Sequence, residues 1–263
     1  MNTLGIDVGS RFVKLVGLDI NNAENAKLTF AEKVDTIEFY RTCRTQSGVD
    51  VKRLELFKSR AFDFERVVAT GYGRHNVNIG GAVIVSEIRA HATGARRQTG
   101  LDDFTLIDLG GQDTKVVKVR AGEVDDFVMN DKCAAGSGRY LENIARTLGL
   151  TVEEVAAHYE DPVHLSATCA IFGESEVIGH VAEGAPIETI CAGANLSVAQ
   201  RLLPLTRKFH SPVFIVAGGA AKNGAVVRFL KERCESDVIV PEHPTFNGAL
   251  GCAVLQNIGT FKV

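Results

Sequence analysis

The sequence predicts an α/β protein built from two related lobes. Segments typical of strands and of helices alternate along the 263 residues, as they do in α/β folds. Residues 6–10 read Ile-Asp-Val-Gly-Ser and residues 107–111 read Ile-Asp-Leu-Gly-Gly, with a lysine following each aspartate at the same offset. The chain also contains 26 glycines, which suit many tight turns. A repeat of this kind indicates two copies of one structural unit.

Each copy of the repeat predicts a β-hairpin with a glycine-rich tip. An apolar strand ends in Asp-apolar-Gly, and a second apolar strand follows within a few residues, near 14–16 or 115–117. Further strands are predicted at residues 66–70, 213–217 and 238–240. We expect residues 1–100 to form the first lobe and residues 101–244 the second. A C-terminal helix at 245–263 is expected to pack back on the first lobe.

Apolar periodicity predicts the helices. An amphipathic helix ended by Gly149 is indicated by the spacing of Tyr140, Leu141, Ile144, Ala145 and Leu148. Other helices are predicted near 86–97, from residue 166 or 168 onward, before Pro204, and at 247–255. Residues 41–60 are polar and basic, and we interpret them as a solvated helix face or an inserted loop without a chemical role.

Charge and hydropathy exclude several classes of protein. The 29 basic and 32 acidic residues give a formal net charge of -3, without the basic excess that binding to a phosphate backbone requires. No apolar run approaches the roughly 20 residues that cross a bilayer, and the N-terminus lacks the layout of a signal peptide. We therefore expect a cytoplasmic protein with neither nucleic acid nor membrane as a partner.

Common catalytic and nucleotide-binding motifs are absent from the sequence. There is no Gly-Lys dipeptide for a Walker phosphate loop, no Gly-x-Ser-x-Gly elbow and no His-Glu-x-x-His pair. Residues 71–73 lack the third glycine of a dinucleotide fingerprint. None of the seven histidines has a partner at metal-binding spacing, so we interpret them as surface or core residues.

The two hairpins are more informative together than either is alone. Backbone N–H groups at Gly9-Ser10 and Gly110-Gly111 could cradle phosphates, since successive N–H groups in a turn form an anion-binding nest. Asp7 and Asp108 would then hold Mg²⁺ through water, because Mg²⁺ keeps much of its hydration. A third glycine turn, Gly218-Gly219, ends another strand and would leave room for a nucleoside.

This arrangement resembles the superfamily of sugar kinases, actin and chaperone ATPases. Residues 4–14 look like its first phosphate hairpin, residues 106–115 like its second, and residues 216–223 like its adenosine turn. The resemblance implies a duplicated two-lobed ribonuclease H-like ATPase fold that binds ATP with Mg²⁺. The ATP contacts it implies are Gly9, Ser10, Lys14, Gly110, Gly111, Gln112, Gly218, Gly219 and Gly248.

Two of the six cysteines stand out by their position. Cys133 sits just before a predicted helix, and Cys169 lies near the start of another. Helix N-termini favour thiolates, because partial positive charge and available N–H groups lower the thiol pKa. We interpret Cys191, Cys234 and Cys252 as small buried hydrophobic residues, and Cys43, among basic residues, as exposed.

Four segments together resemble a narrower family, the ATP-dependent activators of 2-hydroxyacyl-CoA dehydratases and the ATPase subunits of benzoyl-CoA reductases. They are residues 130–138, 169–178, 70–74 and 247–251. The resemblance implies a homodimer in which Cys133 and Cys169 of each subunit hold one shared 4Fe-4S cluster. An all-cysteine cluster needs four thiolates, which two chains would supply.

The same resemblance implies an ATPase that couples ATP hydrolysis to electron transfer. The electron would pass to a dehydratase or reductase partner enzyme, with ferredoxin or flavodoxin as the donor. Asp108, Gln112 and Asp113 are the predicted catalytic residues, the last two orienting the attacking water. Two alternatives remain open from the residues alone: a small-molecule kinase of the same fold without a cluster, and a nucleotide-gated assembly protein.

Overall fold

The computed structural model describes residues 2–20, 26–58, 64–75, 81–130, 136–166, 169–234 and 236–255. The chain divides into two compact units, Met1–Leu101 with Phe246–Val263, and Asp102–Thr245. Each unit has its own five-stranded sheet with helices, so the predicted α/β class with a duplicated architecture is confirmed. Within the described ranges, no helix combines the length and apolar character needed to cross a bilayer.

The first unit is built on one mixed sheet. Its strands are β1 (Asn2–Val8), β2 (Phe12–Ile20), β3 (Ala26–Asp35), β6 (Arg66–Thr70) and β7 (Val83–Ile84), and a separate small hairpin pairs β4 (Arg44–Thr45) with β5 (Gly48–Val49). The sheet order is β3-β2-β1-β6-β7, antiparallel on the β2 side of β1 and parallel on the β6 side. The helices are α1 (Thr36–Cys43), α2 (Glu55–Lys58), α3 (Glu87–Thr99) and α9 (Asn247–Val254).

The second unit repeats this topology. Its strands are β8 (Phe104–Leu109), β9 (Thr114–Arg120), β10 (Glu123–Asn130), β11 (Val213–Ala217) and β12 (Asp237–Ile239), in the order β10-β9-β8-β11-β12. The helices are α4 (Gly138–Leu148), α5 (Val152–Ala156), α6 (Ala170–Ala182), α7 (Ile187–Arg207) and α8 (Gly224–Arg233). In both units the first strand of the hairpin is the central strand of the sheet. It pairs in parallel with a strand from later in the chain, β1 with β6 and β8 with β11.

The central strands carry the cores of the two units. All six residues of β8 are buried, and six of the seven residues of β1 are buried. A strand covered on both faces reads as a continuous apolar run, and here Asp7 and Asp108 are the buried carboxylates within those runs. Each aspartate stands one residue before the end of its strand, at the edge where the strand meets its hairpin tip.

Small residues allow α9 to lie very close to α3 and β1. A Cβ atom at Gly251 would overlap the carbonyl oxygen of Ala90 and lie 2.8 Å from the backbone nitrogen of Gly94. A Cβ atom at Gly5 would lie 2.6 Å from the backbone nitrogen of Ala253. Real Cβ atoms do not approach so closely, so this packing depends on glycine at both positions.

Four details of the sequence interpretation need correction. Residues 26–35 form β3 and residues 123–130 form β10, two edge strands that periodicity did not reveal. Residues 41–60 contain the end of α1, the β4–β5 hairpin and α2, and they contribute buried Val49, Val51 and Leu54 to the core. The helix expected to end before Pro204 continues through it to Arg207.

The fourth correction concerns Cys43, which is fully buried instead of exposed. Helix α1 buries Thr36, Phe39 and Cys43, which are spaced to lie on one helix face, while the neighbouring basic side chains point elsewhere. Burial raises the pKa of the Cys43 thiol to about 11. The thiol therefore behaves as a small hydrophobic group at neutral pH.

Candidate functional site

The first hairpin places a lysine against a buried aspartate. Asp7 and Lys14 face each other across β1 and β2, and Lys14 Nζ donates a hydrogen bond to Asp7 Oδ2 at 3.0 Å. The Asp7 side chain is 3% exposed, so its charge requires a partner of this kind. An ammonium and a carboxylate at the base of a glycine tip are the groups that phosphate and a hydrated cation would engage.

The tip of the first hairpin is a tight turn that is also hydrogen-bonded to the start of α1. Gly9 N–H donates to the carbonyl of Phe12 at 3.2 Å, and a Cβ atom at Gly9 would lie 2.7 Å from that oxygen. Thr36, the first residue of α1, donates a hydrogen bond from Oγ1 to the carbonyl of Gly9 at 2.9 Å. Gly9 and Ser10 are both partly exposed, so the tip is accessible to a ligand.

The second hairpin repeats this geometry with one addition. Asp108 and Lys115 face each other across β8 and β9, with Lys115 Nζ at 3.7 Å from Asp108 Oδ2. Lys115 also contacts Asp113 Oδ2 at 2.7 Å. Gly110 N–H donates to the carbonyl of Asp113 at 3.0 Å. The tip thus holds a network of two carboxylates and one ammonium.

Two of the predicted catalytic residues lie at the surface of this tip. Gln112 is exposed and Asp113 is partly buried, whereas Asp108 is buried beneath them. An exposed amide at the tip can hydrogen-bond to water or to a phosphate oxygen. The roles assigned to Gln112, Asp113 and Asp108 stay predictions.

A glycine turn abuts the buried aspartate in each unit. Gly218 follows β11 with φ of 95°, and a Cβ atom there would lie 2.8 Å from Asp108 Oδ1. Gly71 follows β6 with φ of 97°, and a Cβ atom there would lie 2.7 Å from Asp7 Oδ1. Only glycine combines a positive φ with such a close approach. The Gly71 turn is therefore the counterpart of Gly218, a relation that the sequence analysis missed although both turns follow buried strands.

The start of α4 is hydrogen-bonded to the second hairpin. Gly138 N–H donates to the carbonyl of Gly110 at 2.9 Å, and Arg139 N–H donates to the carbonyl of Gly111 at 2.8 Å. Thr114 Oγ1 donates to the carbonyl of Gly136 at 2.8 Å in a buried position. Cys133 lies outside the described residues, but the segment that follows it is attached to the hairpin by these three bonds.

Cys169 is the N-cap residue of α6 and is partly buried. Three residues earlier in the chain, Ser166 is held by Glu176, whose Oε1 accepts hydrogen bonds from Ser166 N–H and Oγ, both at 2.8 Å. The outer face of α6 is apolar and exposed: Phe172 is 70% exposed, and Ile178 and Val181 are also exposed. Cys169 thus stands at the end of an uncovered hydrophobic helix face.

The remaining described cysteines lack the character of ligands. Burial raises the pKa of the Cys191 thiol to about 11 and raises the pKa of the Cys252 and Cys234 thiols as well. Cys191 and Cys252 are fully buried, in α7 and α9. The interpretation as small buried hydrophobic residues agrees with the positions of Cys191 and Cys252, whereas Cys234 is only partly buried.

Two further predicted nucleotide contacts differ in their surroundings. Gly219 is exposed, and a Cβ atom there would meet nothing within 4 Å. Gly248 is buried in α9, where a Cβ atom would lie 2.5 Å from Nε2 of His91. The geometry gives Gly248 a packing role beside His91, and its contact with ATP stays a prediction.

The chain is similar to known proteins over nearly its whole length. A 2-hydroxyisocaproyl-CoA dehydratase activator from Clostridioides difficile is 37% identical over 261 residues, covering 97% of this chain and 94% of that protein. The activator of lactoyl-CoA dehydratase from Anaerotignum propionicum is 39% identical over 263 residues, covering 97% of this chain and 96% of that protein.

A solved structure and a family description agree with these similarities. The activator of the 2-hydroxyisocaproyl-CoA dehydratase from Clostridium difficile with bound ADPNP superposes with a TM-score of 0.84 at 36% identity, covering 97% of this chain and 93% of that chain. The BadF/BadG/BcrA/BcrD ATPase family matches residues 4–256. The resemblance indicated by the motifs is confirmed, and the chain belongs to the BadF/BadG/BcrA/BcrD ATPase family.

Proposed function

We propose that this ATPase is a reductive activator. In this proposal, ATP binding and hydrolysis drive the delivery of a low-potential electron to a 2-hydroxyacyl-CoA dehydratase or to a benzoyl-CoA reductase type of partner. Two relatives that are named dehydratase activators, each similar over nearly the whole chain, support the dehydratase class of partner. A reduced ferredoxin or flavodoxin in the cytoplasm would supply the electron.

The nucleotide-binding part of the proposal rests on the two hairpins. Ser10 and Gly111 would present backbone N–H groups to the phosphates, because both residues are partly exposed. Gly9 and Gly110 would shape the tips, since their own N–H groups bond to the carbonyls of Phe12 and Asp113. Lys14 and Lys115 stand beside these tips with their ammonium groups on buried aspartates. A phosphate would attract each ammonium group and leave the aspartate available to the hydration shell of Mg²⁺.

Hydrolysis requires a group that orients water next to the terminal phosphate. Gln112 is exposed at the second tip, where its amide oxygen can accept a hydrogen bond from that water. Asp113 holds Lys115 at 2.7 Å and so fixes the position of the ammonium group beneath the tip. We assign water orientation to Gln112 and Asp113 and cation binding to Asp108.

The surroundings of Cys169 fit a shared iron-sulfur cluster. A thiolate at the N-cap of α6 faces the positive end of the helix, and the exposed apolar face that begins at Phe172 would be covered by a second copy of the chain. With Cys133, two copies would supply the four thiolates of a 4Fe-4S cluster. Such a cluster supplies one-electron transfer at low potential when it is bound.

The observation that carries the proposal is the attachment of α4 to the second hairpin. Three hydrogen bonds join the hairpin strands and tip to residues 136–139, which directly follow the segment containing Cys133. Tyr140, fully buried in the first turn of α4, packs against α6, where a Cβ atom at Gly173 would lie 3.0 Å from its ring. A change at the phosphate tip would therefore reach both cysteine-bearing segments through α4.

Iron and sulfide content after anaerobic purification tests the proposal. Cys133→Ser and Cys169→Ser should each abolish the cluster, whereas Cys191→Ala and Cys252→Ala, at buried thiols with raised pKa, should retain it. The wild type should contain about four iron and four sulfide per dimer, since one 4Fe-4S cluster is shared. A colourless, iron-free wild type that hydrolyses ATP would instead support a small-molecule kinase or a nucleotide-gated assembly protein.

A further inference from the structure

The first unit contains a cluster of potential metal ligands that includes a histidine. Asp7, Glu87 and His91 each offer one ligand atom, and these atoms lie within 4.8 Å of one another. Glu87 is the first residue of α3 and His91 follows one helical turn later, so both project from the same helix face. Asp7 reaches the cluster from the end of β1.

The three side chains of this cluster are largely buried. Asp7 is 2% exposed, His91 is 5% exposed and Glu87 is partly buried. Nε2 of His91 lies 4.0 Å from Oδ2 of Asp7. Lys14 also donates a hydrogen bond to Oδ2 of Asp7 at 3.0 Å. Buried carboxylates are held by ionic or hydrogen-bonding partners or by a coordinated metal.

Two glycines allow the ligand atoms to converge. A Cβ atom at Gly248 would lie 2.5 Å from Nε2 of His91, so a larger residue would displace the imidazole. A Cβ atom at Gly71 would lie 2.7 Å from Oδ1 of Asp7, on the opposite oxygen of the same carboxylate. The absence of a side chain at these two glycines therefore leaves room for the His91 ring and the Asp7 carboxylate.

We propose that Asp7, Glu87 and His91 directly coordinate one divalent first-row transition metal of the Mn²⁺ or Fe²⁺ class. One imidazole nitrogen with two carboxylate oxygens is a mixed donor set that suits these ions, whereas Mg²⁺ prefers oxygen ligands and water. Metal-ligand bonds of about 2.1 Å place neighbouring donors about 3 Å apart, so the side chains must close by roughly one to two ångströms. This site shares Asp7 with the proposed nucleotide site but does not depend on the cluster.

Mn²⁺ binding to the full-length, nucleotide-free protein tests this assignment. The protein is purified anaerobically, treated with EDTA, desalted and titrated with Mn²⁺ while electron paramagnetic resonance measures the free ion. The wild type should bind one Mn²⁺ per chain, and the bound ion should show ¹⁴N coupling from an imidazole. A tenfold excess of Mg²⁺ should not displace it, because nitrogen ligation favours the transition metal.

Variants at the histidine and at the half-buried carboxylate make the test specific. His91→Gln and Glu87→Gln should each weaken Mn²⁺ binding at least about tenfold, since even outer partners of metal ligands contribute that much. His91→Gln should also abolish the ¹⁴N coupling. His210→Gln is the matched control, because His210 is exposed in the second unit and should leave Mn²⁺ binding unchanged.

Three results would overturn the assignment. They are Mn²⁺ binding that is unaffected by both variants, a bound ion without ¹⁴N coupling, and displacement of Mn²⁺ by the tenfold excess of Mg²⁺. Circular dichroism identifies a His91→Gln protein that fails to fold, and Glu87→Gln then decides the question alone. Sulfide measured on each preparation before the EDTA treatment reports on the cluster independently, so failure of the proposed function and failure of this metal site are distinguishable.

Discussion

Replacing Gly251 by alanine tests the packing that holds α9 in the first unit. The new Cβ atom would overlap the carbonyl oxygen of Ala90 and lie 2.8 Å from both the carbonyl carbon of Ala90 and the backbone nitrogen of Gly94. These are backbone atoms of α3, which cannot rotate away as a flexible side chain would. The two helices must therefore separate, and α9 must also move relative to β1.

The expected loss of stability follows from two opposing contributions. Alanine in place of glycine within a helix gains about 1 kcal/mol from helix propensity. Overpacking of a well-packed interior costs typically about 1–3 kcal/mol, and here the clash involves main-chain atoms, which favours the upper part of that range. We expect Gly251→Ala to lower the free energy of unfolding by about 1–2 kcal/mol.

Chemical denaturation followed by circular dichroism measures this change. Gly224→Ala, at the first residue of α8, is the matched control, because a Cβ atom there would meet nothing within 4 Å. The control should be neutral or slightly stabilising. A Gly251→Ala protein as stable as the wild type would show that α9 does not lie against α3 as closely as described.

Two other predictions concern the hairpin aspartates and the buried thiols. Asp7→Asn and Asp108→Asn should each lower ATP turnover by about 10²- to 10³-fold, the usual effect of losing a preorganised electrostatic group, without loss of the cluster sulfide. Unchanged turnover in both would contradict the nucleotide site. Cys43 and Cys191 should be alkylated slowly at pH 8, because both are fully buried and burial raises their thiol pKa values to about 11, whereas the thiolate is the nucleophile. Peptide mapping after timed iodoacetamide treatment of the native protein checks this, and labelling of either residue as fast as a free thiol would refute it.

The repeated hairpins were predictable from sequence because their information is local. The offsets from aspartate to glycine to lysine recur, and cross-strand pairing then brings Asp7 to Lys14 and Asp108 to Lys115. The helix ending at Gly149 was likewise predictable from apolar spacing. Such features require no knowledge of distant parts of the chain.

The edge strands were missed because their burial alternates over only part of each strand. In β3 the alternation over residues 26–30 breaks after Phe30, and in β10 a register shift between Val124 and Asp126 interrupts it, so neither strand shows a sustained period of two. Pro204 was expected to stop α7, but the residue four positions earlier, Gln200, is exposed, and water can satisfy its carbonyl after the proline removes the usual donor.

The cluster of Asp7, Glu87 and His91 was also missed, for a different reason. Glu87 and His91 show the spacing of neighbours on one helix face, but a glutamate four residues before a histidine is common on helices. Their relation to Asp7 exists only after α3 has packed in the first unit, where Gly71 and Gly248 bring the backbone close to the ligands. No local sequence pattern therefore indicates that these three residues lie together.

The rate at which a chelator removes iron from the reduced protein, without oxygen, tests the central claim that nucleotide and cluster are coupled. ATP with Mg²⁺ should give a faster rate than ADP or no nucleotide. Thr114→Val removes the bond from the second hairpin to Gly136 and should flatten this difference, whereas Thr147→Val, which removes a bond within α4, should preserve it. Equal rates for the wild type in ATP, in ADP and without nucleotide would contradict the proposed coupling.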